Sequence, residues 1–110
     1  MELRQLDETV AVSAQIVPSD VAMIANTGFK CIICNRPDSE QGAHPHEEIK
    51  AAAEAAGLEF HFLPVVSGQI TETDVQEMAE LMDRAAKPVL AYCRSGARCT
   101  NLYALVMQQG

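Results

Sequence analysis

Pro88-Val89-Leu90-Ala91-Tyr92-Cys93-Arg94-Ser95-Gly96-Ala97-Arg98-Cys99-Thr100 reads as a short apolar run, a cysteine, a loop of small residues with two arginines, and then a helical pattern. An apolar run of this length after a proline predicts a buried strand, with Cys93 at its C-terminal end. Open α/β sheets hold ligands outside the carboxyl ends of their strands. The loop turns the chain so that backbone N–H groups can converge, and the helix that follows adds the positive end of its dipole. A cradle of this kind binds an anion and lowers a thiol pKa, so Cys93 reads as a thiolate nucleophile. Arg98 offers forked donors for an oxyanion. The plainer alternative is a buried cysteine closing a strand, with the arginines as solvated loop charges. A glycine and two arginines beside the cysteine serve no packing need, which favours the nucleophile.

Outward from this stretch, strands alternate with helices. Glu2 to Leu6 is expected to pair with Val10 to Ser13 across Asp7-Glu8. Pro18-Ser19-Asp20 predicts a helix start, with Ser19 or Asp20 as N-cap and Gly28 as the stop. Phe29 to Cys34 predicts an interior parallel strand, and Asn35-Arg36-Pro37-Asp38 follows at its carboxyl edge. Residues 39–45 read as a polar flexible loop, and His46 to Ala56 as an alanine-rich helix ended by Gly57. Glu59 to Val65 predicts a strand with Phe60 and Phe62 on one face and His61 on the other. A loop, Val66-Ser67-Gly68-Gln69, precedes a capping box at Thr71 to Asp74. Val75, Met78, Met82 and Ala85 mark a core-facing helical stripe, and Leu102, Leu105 and Val106 the apolar face of a last helix. The expected fold is α/β: a mainly parallel four- to five-stranded sheet with helices on both faces, a single domain over residues 1–110, standing within a longer or fused protein.

Of 110 residues, 48% are hydrophobic and 21% charged, a globular balance. The net charge of −7 makes nucleic acid and anionic membranes poor partners, while Arg94 and Arg98 focus a small anionic substrate onto one spot. No signal segment or membrane-length apolar stretch is legible, so a cytosolic location with reduced thiols is expected.

The combination Val12-Ser13-Ala14-Gln15, Ile32-Ile33-Cys34-Asn35-Arg36-Pro37-Asp38, Leu63-Pro64-Val65 and Leu90-Ala91-Tyr92-Cys93-Arg94-Ser95-Gly96-Ala97-Arg98 resembles the phosphatase-like domain of the bacterial β-lactamase-hydrolase-like proteins, a small family also described as sulfurtransferases. The resemblance runs from about Leu3 to Val106. It implies a fold similar to dual-specificity and protein-tyrosine phosphatases with Cys93 as nucleophile. Some relatives carry this domain beside a metallo-β-lactamase-like domain linked to sulfide metabolism, which makes such a domain an expected partner.

Three departures from a tyrosine-phosphatase signature stand out. Tyr92 takes the place of a histidine, four residues rather than five separate Cys93 from Arg98, and the loop at residues 66–69 has no carboxylate. A missing general acid withholds a factor of ~10²–10⁴. Asp38, or Asp74, is the substitute acid the sequence offers. The six residues Cys93 to Arg98 also resemble the short loop of rhodanese-type sulfurtransferases, whose chemistry needs no such acid. Sulfur transfer through a Cys93 persulfide is therefore the first expectation, ahead of phosphate-ester hydrolysis through a phosphocysteine and of a non-catalytic anion-binding module. In each, Cys93 and Arg98 act with Arg94, Ser95, Gly96, Ala97 and Cys99 around the substrate, Ser95 hydrogen-bonding the sulfur.

Cys31 and Cys34 are spaced like a redox or zinc pair, but residues three apart on a strand face opposite sides, so buried packing is expected. Cys34 and Cys99 are candidate resolving thiols for Cys93. His44-Pro45-His46 lacks a carboxylate frame for a metal, and His61 receives no role. No cofactor and no metal-ligand set is expected.

Overall fold

The computed structural model describes residues 2–109. Five strands lie in the order β1-β2-β5-β3-β4, with β1 Leu3–Gln5, β2 Val10–Ser13, β3 Cys31–Cys34, β4 Glu59–Phe62 and β5 Val89–Tyr92. β1 pairs antiparallel with β2, and every other neighbour is parallel. The helices are α1 Val21–Thr27, α2 His46–Ala55, α3 Glu72–Arg84 and α4 Ala97–Gln109, with a single 3-10 turn, Pro18–Asp20, before α1.

β5 is the middle strand, with parallel partners on both sides. Leu90 pairs with Ala11 on one side and Ile32 on the other, and all four β5 residues are buried. Alternate residues feed two cores. Ala11, Ile32, Cys34, Leu90 and Tyr92 pack with α1 and α2 through Ile24 and Ile49. Val10, Cys31, Ile33, Val89, Ala91 and Cys93 pack under α3 and α4 through Met78, Leu81 and Leu102. Cys31 and Cys34 thus serve opposite faces, as strand geometry requires.

Several boundaries differ from expectation. β4 stops at Phe62, because Pro64 has no N–H for a continued ladder; only Leu63 N and Val65 N reach back, to the carbonyls of Cys34 and Asn35. Asp20 does not cap α1 with its side chain; its carboxylate accepts the Val17 N–H instead. Thr71 and Asp74 do form the reciprocal capping box of α3. The inward face of α4 is Cys99, Leu102, Tyr103 and Val106, with Leu105 turned outward. No helix among the described residues is long and apolar enough to cross a membrane.

Leu90→Ala removes a fully buried side chain at the centre of the sheet. A loss of ~2–5 kcal/mol is expected in urea unfolding, with the slope of the transition unchanged.

Candidate active site

The β5 strand delivers Cys93 to its carboxyl end, and α4 begins four residues later at Ala97. The connecting turn is possible because Gly96 sits at φ +93, the left-handed region. A Cβ there would also lie 3.4 Å from the Ser13 backbone. That close approach ties the loop to β2, where Ser13 O accepts the Cys93 N–H at 3.4 Å.

The Cys93 sulfur is buried and surrounded by donors. Gly96 N–H reaches it at 3.1 Å. The Cys99 thiol and the backbone N–H groups of Cys99 and Ser95 donate to it as well. The Cys99 thiol, first, and then these amides outweigh burial and bring the Cys93 pKa down from 9.0 to about 5. Cys99 moves the other way: by donating to Cys93, and by burial, it is held as the protonated partner.

Arg98 is buried and faces two ways. Its Nη1 donates to the carbonyls of Asn35 and Val65, at 3.4 and 2.9 Å. Its two Nη groups also fork onto Glu40, at 2.9 and 3.1 Å. Its Nε is buried with no hydrogen-bond partner. Glu40 accepts from Arg36 Nε at 2.9 Å as well. Burial works to raise the Glu40 carboxyl, but hydrogen bonds from Arg98 and Arg36 prevail and hold it below the usual carboxylate range. Arg36 also donates to Gln15 Oε1 and the Gln41 carbonyl, which moors the loop after β3 to the loop after β2.

A cavity of about 620 Å³ opens over the sulfur, lined by Cys93, Arg94, Ser95 and Ala97 of the loop together with Arg36, Glu40, Gln41, Ser67 and Arg98. The structure thus brings together Cys93, Arg94, Ser95, Ala97 and Arg98 in one cavity, with Gly96 and Cys99 buried behind the sulfur. The Ser95 hydroxyl accepts the Ala97 N–H at 3.3 Å and so caps α4, where the sequence had suggested a bond to sulfur. Cys34 lies in the opposite core and donates to the Arg36 carbonyl. Tyr92, in the place of a histidine, keeps its hydroxyl buried beside the Cys34 thiol.

The two candidate acids are elsewhere. Asp38 accepts the His46 backbone N–H at 3.0 Å and its ring Nδ1 at 2.7 Å, and does not line the cavity. Asp74 is committed to the Thr71 capping box. Glu40 is the one carboxylate among the described residues that lines the cavity. It falls within residues 39–45, which composition alone marks as a flexible loop. The only local signal for it was its position four residues after Arg36.

A family model described as "Beta-lactamase hydrolase-like protein, phosphatase-like domain" matches residues 2–110. A β-lactamase hydrolase-like protein of Agrobacterium fabrum is 36% identical over 106 residues, 96% of this chain and 25% of that protein. This chain therefore spans about a quarter of the length of the curated relatives it matches. A crystal structure of a Neisseria meningitidis protein named as a phosphatase superposes with a TM-score of 0.85 at 42% identity, covering 94% of this chain and 74% of that one. Pseudomonas aeruginosa TpbA, solved in complex with phosphotyrosine, gives a TM-score of 0.73 at 20% identity, covering 96% of this chain and 64% of that one. The fold is protein-tyrosine-phosphatase-like.

Two outcomes follow for the site. Alkylation of Cys93 by iodoacetamide, followed by mass mapping, is expected to rise with a single ionisation near pH 5 and level off by neutrality. Cys99→Ala moves that midpoint up toward the ordinary thiol range, while Cys99→Ser, which keeps a donor, moves it less. Because the folded value lies below the unfolded one, the thiolate's contribution to stability is complete only above the unfolded thiol range and is lost as pH falls through about 5. Glu40→Gln removes the anion shared by Arg36 and Arg98, and denaturant unfolding is expected to register a loss of ~1–3 kcal/mol.

Proposed function

We propose that this chain, which belongs to the phosphatase-like domain family of the β-lactamase hydrolase-like proteins, hydrolyses phosphate monoesters through a phosphocysteine on Cys93. One observation carries the reading: a thiolate in a cradle of amide donors, next to an arginine whose buried Nε has no partner. The likeness to phosphatases at family and fold level supports it over the sulfur transfer that the loop spacing alone ranks first.

In the first step the Cys93 sulfur attacks phosphorus, an S–P bond forms, and the P–O bond to the leaving group breaks. The loop amides and Arg98 Nε meet the equatorial oxygens, where charge is held through the transition state. Arg94, exposed at the rim, attracts the dianion. Water then attacks phosphorus, the S–P bond breaks, and phosphate leaves with the thiolate restored.

The acid is the constraint on substrate. Glu40 is ionised between two guanidiniums and poorly suited to donate a proton. The leaving oxygen must depart with help from solvent alone, which favours aryl phosphates over alkyl phosphates. The same argument keeps persulfide chemistry as the second reading, since a sulfur donor's leaving group also needs no acid. Its other support is the four-residue interval between Cys93 and Arg98.

The deciding experiment compares phosphate release from p-nitrophenyl phosphate, phosphotyrosine and phosphoserine with intact mass after brief exposure to thiosulfate. The expected result is release that is lost in Cys93→Ser, with kcat/KM ~10²–10⁴-fold higher for the aryl esters than for phosphoserine. Gain of one sulfur on Cys93, removed by cyanide, without phosphate release would overturn the proposal in favour of sulfur transfer. Silence in both assays would leave an anion-binding module.

A further inference from the structure

At the other end of the same sheet, Cys31, Glu59 and His61 converge. Cys31 and Glu59 are the first residues of β3 and β4 and are register partners in the parallel ladder. His61 follows two residues on, so its side chain leaves the same face as Glu59. One ligand atom from each residue lies within 4.8 Å of the others. We propose that these three side chains bind a zinc-class divalent ion.

The donor set is one thiolate sulfur, one imidazole nitrogen and one carboxylate oxygen, which suits a borderline ion such as Zn(II) and does not suit Mg(II) or Ca(II). Tetrahedral coordination with ordinary bond lengths places donor atoms roughly 3.5 Å apart. Closing from 4.8 Å takes a movement of about an ångström, within reach of the two β4 side chains. Those side chains stand on the sheet's edge strand, 30% exposed for His61 and 46% for Glu59, while Cys31 is the buried floor.

Two further features fit. Glu59 already accepts from His61 Nε2 and from the Ala86 N–H, both at 3.2 Å, so the pair is prepositioned over the cysteine. A cleft of about 220 Å³ leads to His61 and carries the carboxylates of Glu77 and Glu80, which draw a cation inward. Arg84 lines the cleft as well and opposes this field. Lys87 opposes it too. Burial, first, and then the Glu59 charge push the Cys31 thiol up to about 12, so the ion itself must displace the thiol proton. Coordination replaces the S–H bond by an S–metal bond and releases the proton to solvent. Three protein ligands leave the fourth position to water, reached from the exposed side of His61 and Glu59.

The test is Co(II) titration of the reduced full chain, read by absorbance. One equivalent should bind with a thiolate-to-cobalt charge-transfer band, displaced by Zn(II). The band should vanish in Cys31→Ser and in His61→Ala, the second being a partly exposed position whose loss leaves the core intact. It should persist in Cys93→Ser. Zn(II) at 100-fold over its Kd should raise the melting temperature by about 10 °C in the parent chain and not in His61→Ala. Failure to bind one equivalent, a band that survives both ligand variants, or a band lost in Cys93→Ser would overturn the proposal.

Discussion

A negative charge held out of water at the end of β5 is the constraint to which the rest of the structure answers. Cys93 is 1% exposed, and an unpaired anion at that depth would simply take up a proton. It stays ionised because three backbone N–H groups and the Cys99 thiol donate to one sulfur. Convergence of those donors needs the left-handed turn at Gly96, and the turn needs the bare Cα that lets the loop lie against Ser13. The centre of the sheet and the start of α4 are thus fixed by what one sulfur requires. The apolar β5 strand, flanked on both sides by parallel partners, is the rigid support that keeps this geometry from relaxing.

The cationic half of the site is assembled differently. Arg98, in the first turn of α4, and Arg36, in the loop after β3, would repel in the low-dielectric edge of the fold. Glu40 reconciles them by accepting from both. The same fork points Arg98 so that Nη1 ties the ends of β3 and β4 through the Asn35 and Val65 carbonyls, with Nε left unpartnered. Under the proposed hydrolysis the cost is chemical: a carboxylate so well paired is a weak proton donor, so the arrangement that orders the arginine would also narrow the leaving groups. The overall charge of −7 makes the local effect sharper, because the arginine-lined cavity stands against an acidic surface.

The sheet also separates opposite chemistries by direction. Its carboxyl edge gathers amide donors and guanidiniums around a thiolate and suits anions. The starts of β3 and β4 gather a thiol, an imidazole and carboxylates and suit a cation. Cys31 and Cys34 differ only by position along one strand, yet burial in opposite cores gives them unrelated surroundings. Their short spacing in sequence carried no information about a shared role, because a strand sends residues three apart to opposite faces.

Much of the fold was legible in local pattern. The apolar runs placed β3 and β5, the Thr71 and Asp74 pair started α3, and the cysteine loop with its glycine and arginine announced an anion cradle, because these signals arise from backbone geometry within a few residues. The shortened β4 was legible too, had the missing N–H of Pro64 been weighed against the apolar run. Glu40 was not legible, nor the withdrawal of Asp38 onto His46, nor Leu105 turned outward on α4. Those depend on which loops meet above the sheet and which helix face the sheet covers. By itself the sequence determined that Cys93 would stand at the end of a buried strand in a donor-rich turn. Tertiary structure decided which charges surround it, because Arg36, Glu40 and Arg98 meet only when β3 and β5 lie side by side, and a charge's partner is set by distance in space rather than along the chain.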